Sequence, residues 1–193
     1  MRLFVALTFE DDLLDAIEAL QGRIPAGRVV PRENLHLTLL FAGELDDKGV
    51  EALHDGLEGV GFDAFPLQLA GLGTFGSPWP ETLWLGASAN PALEALQGKV
   101  RAAAHGAGVM PERQRFRPHV TLARLGGSGG DGDAARLAVF LSRGEGAVLP
   151  VAQVRGFALM RSQLRRDGAR YEELARYGAR GWQAGWPGNG LAL

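Results

Sequence analysis

Residues 34–41 read NLHLTLLF and residues 117–124 read RPHVTLAR. Each stretch places a histidine, an apolar residue, a threonine and a leucine in a row: His36, Leu37, Thr38 and Leu39, then His119, Val120, Thr121 and Leu122. With four histidines and five threonines in the chain, random placement gives two His-x-Thr pairings with a probability of about 0.4%. The repetition therefore carries information.

Both stretches read as strands, and successive side chains of a strand point to opposite faces. His36 and Thr38 share one face, with Leu37, Leu39 and Phe41 on the other. His119 and Thr121 likewise share a face, opposite Val120 and Leu122. The apolar face anchors each strand, and the polar face presents an imidazole beside a hydroxyl. Strict alternation puts Arg124 opposite His119, so its contact with anything held there requires a twist, bulge or strand end. The same alternation sends Phe41 into the core, unless the strand ends there and frees the ring to stack on a base.

Outward from these strands, the pattern is mixed. Residues 2–8 (RLFVALT) form a short apolar strand, and Thr8 with Asp11 signals a helix start, followed by a stripe of Leu13, Leu14, Ile17 and Leu20. A second helix is expected over 46–59 around Val50, Leu53 and Leu57. A third opens at Asn90 with Pro91 at its first position. Strands are expected in FPLQLAGLGTF, ETLWLGAS and VLPVAQVRGFALMRSQL, a helix in DAARLAVFLSR, and a strand or short helix in ARYEELARYG. Tight breaks between strands favour an α+β fold with antiparallel sheet over a doubly wound parallel one. The two motifs sit about half a chain apart, which predicts pseudo-twofold related lobes within one domain spanning residues 1–193.

Composition narrows the chemistry. The chain of 193 residues has no cysteine, which removes disulfides, thiolate nucleophiles and Cys-ligated zinc. Neither a signal peptide nor a membrane-length apolar run is evident, so a soluble cytoplasmic protein is expected. Net charge is −2, but arginines concentrate in PERQRFRPHVTLAR and RGFALMRSQLRRDGAR, which predicts a local basic cleft. Two histidines fall short of the three protein donors of a catalytic zinc site, and no GxSxG elbow marks a serine hydrolase. Two imidazoles suit concerted acid–base chemistry, one taking a proton from the nucleophile while the other protonates the leaving oxygen. Phosphoryl transfer fits, because the threonine hydroxyls can donate to nonbridging oxygens.

With these motifs the sequence resembles the 2H phosphoesterases, named for two His-x-Thr/Ser-x motifs, and within them the bacterial and archaeal RNA 2′,3′-cyclic phosphodiesterases, also called 2′-5′ RNA ligases. MRLFVAL resembles that family's opening strand, ENLHLTLLFAGEL its first motif, FRPHVTLAR its second, and FALMRSQLRRDGARYEEL its closing strand, serine and hairpin. The resemblance implies a bilobal fold of two antiparallel sheets facing across a cleft, with helices outside. It implies hydrolysis of RNA 2′,3′-cyclic phosphate ends to 2′-phosphates, without metal or nucleotide cofactor, and reversible 2′-5′ joining of RNA ends. By motif position His36 and His119 are the catalytic pair, Thr38 and Thr121 bind phosphate, and Arg124 and Phe41 are candidate substrate contacts. Partners are RNA ends or nucleotides bearing 2′,3′-cyclic phosphate, and a monomer is expected. Two other readings keep the site: a phosphodiesterase on small cyclic nucleotides, and a nucleotide-binding module without turnover.

Lesser motifs are given structural roles. The Gly-rich GGSGGDGD (126–133) lacks the Gly-Lys-Ser/Thr ending of a phosphate-binding P-loop and is expected to be a loop. Trp79 and Trp84 are expected to pack in core or turn, Trp182 and Trp186 to dock the tail, and Ser162 and Tyr171 to be structural.

Overall fold

The structure, a computed structural model, describes residues 1–77, 79–111, 115–126, 131–144, 148–165 and 168–181. In chain order the elements are β1 (Arg2–Leu7), α1 (Asp11–Gln21), β2 (Arg28–Val29), a 3-10 turn (Arg32–Asn34), β3 (Leu37–Glu44), α2 (Asp47–Glu58), β4 (Phe65–Leu67), β5 (Leu69–Phe75), β6 (Thr82–Ala87), α3 (Pro91–Gly106), β7 (His119–Arg124), α4 (Asp131–Gly144), β8 (Ala152–Val154), β9 (Gly156–Arg165) and β10 (Gly168–Gly178). Tail residues Trp182 and Trp186, and residues 127–130 of the Gly-rich segment, lie outside the described residues.

The α+β, antiparallel expectation holds. One large sheet runs β10-β9-β1-β3-β7-β6-β5, with β2 beside β7, and β4 and β8 form a separate pair. Its two halves, β10-β9-β1-β3 and β7-β6-β5, are joined edge to edge. Their joint is one register pair between β3 and β7, Leu37 with Val120. These are the middle residues of the two His-x-Thr motifs, and both are fully buried. Continuing that antiparallel register one residue either way sets His36 across from Thr121, and Thr38 across from His119. The joint thus lies at the chemistry.

Burial explains why β1 reads as a continuous apolar run rather than an alternating one. Leu3, Val5 and Leu7 point into the main core under the helices, while Phe4 and Ala6 join Ala158 and Met160 in a small cluster on the histidine face, with Tyr171 packed against it. The helices bury stripes at helical spacing: Leu13, Ile17 and Leu20 on α1; Val50, Leu53 and Leu57 on α2; Leu93, Leu96, Val100 and Ala104 on α3.

Caps agree with the sequence in two helices. Asp46 accepts from the Gly49 amide, and Asn90 accepts from the amides of Ala92 and Leu93, with Pro91 following it. The start of α1 differs from expectation. Glu10, not Thr8, occupies the capping position with an extended backbone and no side-chain cap, and its carbonyl accepts from Leu14. Helix α4 begins at Asp131, inside the segment expected to be loop, and ARYEELARYG is wholly strand. Among the described residues, no helix is long and apolar enough to cross a membrane.

Candidate active site

His36 immediately precedes β3, and His119 opens β7. The two are held by the same local device. His36 Nδ1 lies 2.7 Å from the carbonyl oxygen of Asn34, and His119 Nδ1 lies 2.7 Å from that of Arg117. A carbonyl only accepts, so Nδ1 donates in both rings and Nε2 of the neutral imidazole keeps its lone pair. Each ring therefore presents one nitrogen for proton transfer. The Asn34 anchor is itself tied down, its side-chain amide donating to the Ala169 carbonyl on β10 at 2.8 Å.

Aromatic rings fix the other sides. His36 sits 4.8 Å from the ring of Phe4 and 5.1 Å from Tyr171, which meets it edge-on at 89°. His119 sits 4.9 Å from Phe75, at 81°, and 6.2 Å from Trp84. The pKa of both imidazoles is held below the ordinary histidine value, chiefly by burial. The carbonyl bonds oppose this, and the positive charge of Arg124 reinforces it in both; His119 adds to it at His36. The structure thus gathers His36, His119 and Arg124 within electrostatic reach of one another.

Arg124 and Phe41 are where the strict alternation fails, and for one reason. On β7, Thr121 pairs with Trp84 and Ala123 with Leu83, so Leu122 is an extra residue. On β3, Thr38 pairs with Ala6 and Leu40 with Val5, so Leu39 is extra. Each motif carries a β-bulge at its leucine, and a one-residue insertion returns the side chain at the fifth position after the histidine to the histidine face. Arg124 there donates to the Thr82 hydroxyl at 2.9 Å. Phe41 is 64% exposed and lies 6.2 Å from Phe4, so it is not a core residue.

Other expectations change. Tyr171, read as structural, touches His36, and Trp84 lies on the site side of β6 across from Thr121. Of the second arginine cluster, Arg155 and Arg161 are engaged away from the histidines. Arg155 pairs with Glu10 at 2.9 Å. Arg161 lies 3.8 Å from Glu172 and alternates with Met160 and Ser162, which puts it on the opposite face of β9. His54 and His105 sit on α2 and α3, and His54 Nδ1 is 2.8 Å from the Tyr177 hydroxyl. Among the described residues, no group of three or more His, Asp or Glu side chains is gathered to hold a metal ion.

Two further residues were missed in the sequence. Gln21 and Gln97 reach the bulges from α1 and α3, and a signal for them was present: EALQG occurs at 18–22 and again at 94–98.

Twin His-x-Thr strands thus abut in one antiparallel sheet. The chain belongs to the 2′-5′ RNA ligase superfamily, whose family model matches residues 9–163. The RNA 2′,3′-cyclic phosphodiesterase of Thermus thermophilus is 31% identical over 192 residues, 94% of this chain and 91% of that one. That of Aeropyrum pernix is 35% identical over 103 residues, spanning 52% of this chain and 58% of that relative. The crystal structure of Escherichia coli LigT in apo form superposes with a TM-score of 0.73 at 27% identity, over 92% of this chain and 96% of that one. LigT complexed with 3′-AMP gives 0.71 at 26%, over 93% and 97%.

Proposed function

We propose that this protein hydrolyses RNA 2′,3′-cyclic phosphate ends to 2′-phosphates, with His36 and His119 as the acid–base pair, and that the same site supports reversible 2′-5′ joining of RNA ends. The observation that carries the reading is the repeated imidazole, each ring fixed through Nδ1 to a carbonyl and free at Nε2. His119, whose anchoring bond lies in the more exposed setting, takes a proton from water as the water oxygen attacks phosphorus. His36, enclosed by Phe4 and Tyr171, protonates the 3′ oxygen as its bond to phosphorus breaks. In the joining direction the two roles exchange. Thr38 and Thr121 donate to the nonbridging oxygens, Arg124 offsets their charge, and Phe41 stacks on a base. The proposal is for one domain of two interleaved lobes, monomeric and cytoplasmic, requiring no metal.

The test is incubation, in EDTA, with a short RNA ending in 2′,3′-cyclic phosphate. A 2′-phosphate product is expected. Loss of activity in EDTA that zinc restores overturns the metal-free scheme. A second reading, a phosphodiesterase of small 2′,3′-cyclic nucleotides, draws on the LigT complex with 3′-AMP. Turnover of cyclic mononucleotides but not of RNA ends would select it.

The pH profile has a definite sign. A rate that needs one imidazole neutral and the other protonated gives a bell in kcat/KM, bounded by the pair's pKa values in the free enzyme. Both imidazoles are held below 6.5, so the optimum lies on the acid side of that value. Arg124 disfavours both imidazolium forms, so Arg124→Ala moves the surviving bell to higher pH. A wild-type optimum above neutrality contradicts the assignment.

A further inference from the structure

Gln21 and Thr82 are the two polar side chains buried among the described residues, at 6% and 7% exposure, and both are spent on the second motif strand. The Gln21 amide nitrogen donates to the carbonyls of Val30 at 2.9 Å and Leu122 at 2.8 Å. Leu122 is the bulge residue. A bulge removes its extra residue from the ladder, and the displaced carbonyl needs another donor. Leu122 receives two, the Gln21 side chain and the Val30 amide at 2.9 Å. Thr82 holds the far end of the same device, accepting from Arg124. The first motif has the corresponding brace: Gln97 donates to the carbonyl of its bulge residue, Leu39, at 3.4 Å.

The bracing is crossed. Gln21 lies on α1, whose strand β1 adjoins the first motif strand, yet it secures the bulge of the second. Gln97 lies on α3, after β6, and secures the bulge of the first. The two glutamines occupy equivalent places in the repeated EALQG segments.

We propose that Gln21 and Gln97 are positioning residues that pin the two β-bulges, Gln21 with Thr82 aiming Arg124 and Gln97 aiming Phe41 at the substrate. This rests on the reading that Arg124 and Phe41 meet the substrate. Without the pin, the strand relaxes toward unbroken alternation, which carries the fifth side chain after the histidine to the core face.

Crossed double-mutant cycles test it, on kcat/KM for an oligonucleotide ending in 2′,3′-cyclic phosphate. Gln21→Met keeps the length and removes both donors. It is expected to lower kcat/KM about tenfold in the wild-type and Phe41→Ala backgrounds, and less than about twofold in Arg124→Ala. Gln97→Met is expected to show the converse pattern, losing its effect only in Phe41→Ala. Thr82→Val, isosteric and unable to accept the guanidinium bond through a hydroxyl, behaves like Gln21→Met and serves if that variant does not fold. Equal losses in every background, the mark of a loosened fold, overturn the proposal, as do no losses at all or normal turnover by Arg124→Ala. Amide resonances supply an arm independent of turnover: those of residues 122–124 shift in Gln21→Met with 39–41 unmoved, and the reverse in Gln97→Met. A wild-type protein without turnover overturns the RNA-end reading, and with it the aiming role. The resonances then decide the pin alone, and their failure to follow the crossed pattern overturns it.

Discussion

Replacing either His36 or His119 by alanine is expected to slow hydrolysis of a 2′,3′-cyclic phosphate RNA end by about 10²- to 10⁴-fold, the usual contribution of a positioned acid or base. The doubly substituted protein is expected to be slower by much less than the product of the two factors. Proton removal and donation occur in one transition state, and losing one partner already forfeits much of what the other supplies. The two single variants are also expected to differ in kind. His36 packs edge-on against Tyr171 and beside Phe4, so its loss opens a hole in an aromatic cluster, and His36→Gln, which fills more of that space, isolates the chemical deficit. His119 is less enclosed, and its alanine variant should unfold close to the wild-type temperature. Near-normal hydrolysis by either alanine variant removes the two-histidine mechanism altogether.

The second large effect is expected at a residue that touches no substrate. Gly73 on β5 faces Trp84 on β6 as a direct cross-strand partner, and the indole occupies the space a side chain at 73 would take. A Cβ on residue 73 would stand 2.2 Å from Trp84 Cζ2 and 2.5 Å from Cη2. Contacts that short do not exist, so Gly73→Ala must tip the indole. Gly86 also lies beside the ring, where an added Cβ would meet Trp84 Cζ3 at 3.2 Å. The indole Nε1 is buried without a partner among the described residues. Overpacking of this kind costs about 1–3 kcal/mol. Trp84 pairs across the ladder with Thr121 and its ring lies 6.2 Å from His119, so the displacement also reaches the site. A misplacement of about 1 Å can cost about 10²-fold in rate. Gly98→Ala is the control: nothing lies within 4 Å of its Cβ, it sits inside α3, and alanine there is expected to stabilise by about 0.4–1 kcal/mol. Equal stability and activity in Gly73→Ala and Gly98→Ala would show that the indole does not hold the site.

Much of this was legible in the chain. A short apolar run marked β1, the apolar period marked α2, and Asn90-Pro91 marked where α3 begins, because these signals act within a few residues of one another. The His-x-Thr pairs named their own face for the same reason. Arg124 and Phe41 were placed on the wrong face by alternation, since a bulge is decided by the partner strand and by donors elsewhere: the side chain that braces Leu122 is 101 positions away. The rings around the histidines were hidden similarly. Phe4, Phe75, Trp84 and Tyr171 come from four strands, and no local period shows that their registers bring them to two imidazoles. Tyr171 was the hardest, in a segment equally readable as strand or helix until its pairing with Ser162 fixed it.

The crossed glutamines also bear on when the protein becomes active as it folds. Contacts this distant in sequence close late, after local turns and helices have formed. With the bulges pinned in this way, each motif strand takes its final shape only once the helix carrying its glutamine has docked, and β3 and β7 themselves share one ladder pair. A chain half synthesised or half unfolded therefore holds at most one imidazole in an unshaped strand. Activity toward RNA should switch on as a single late event in refolding.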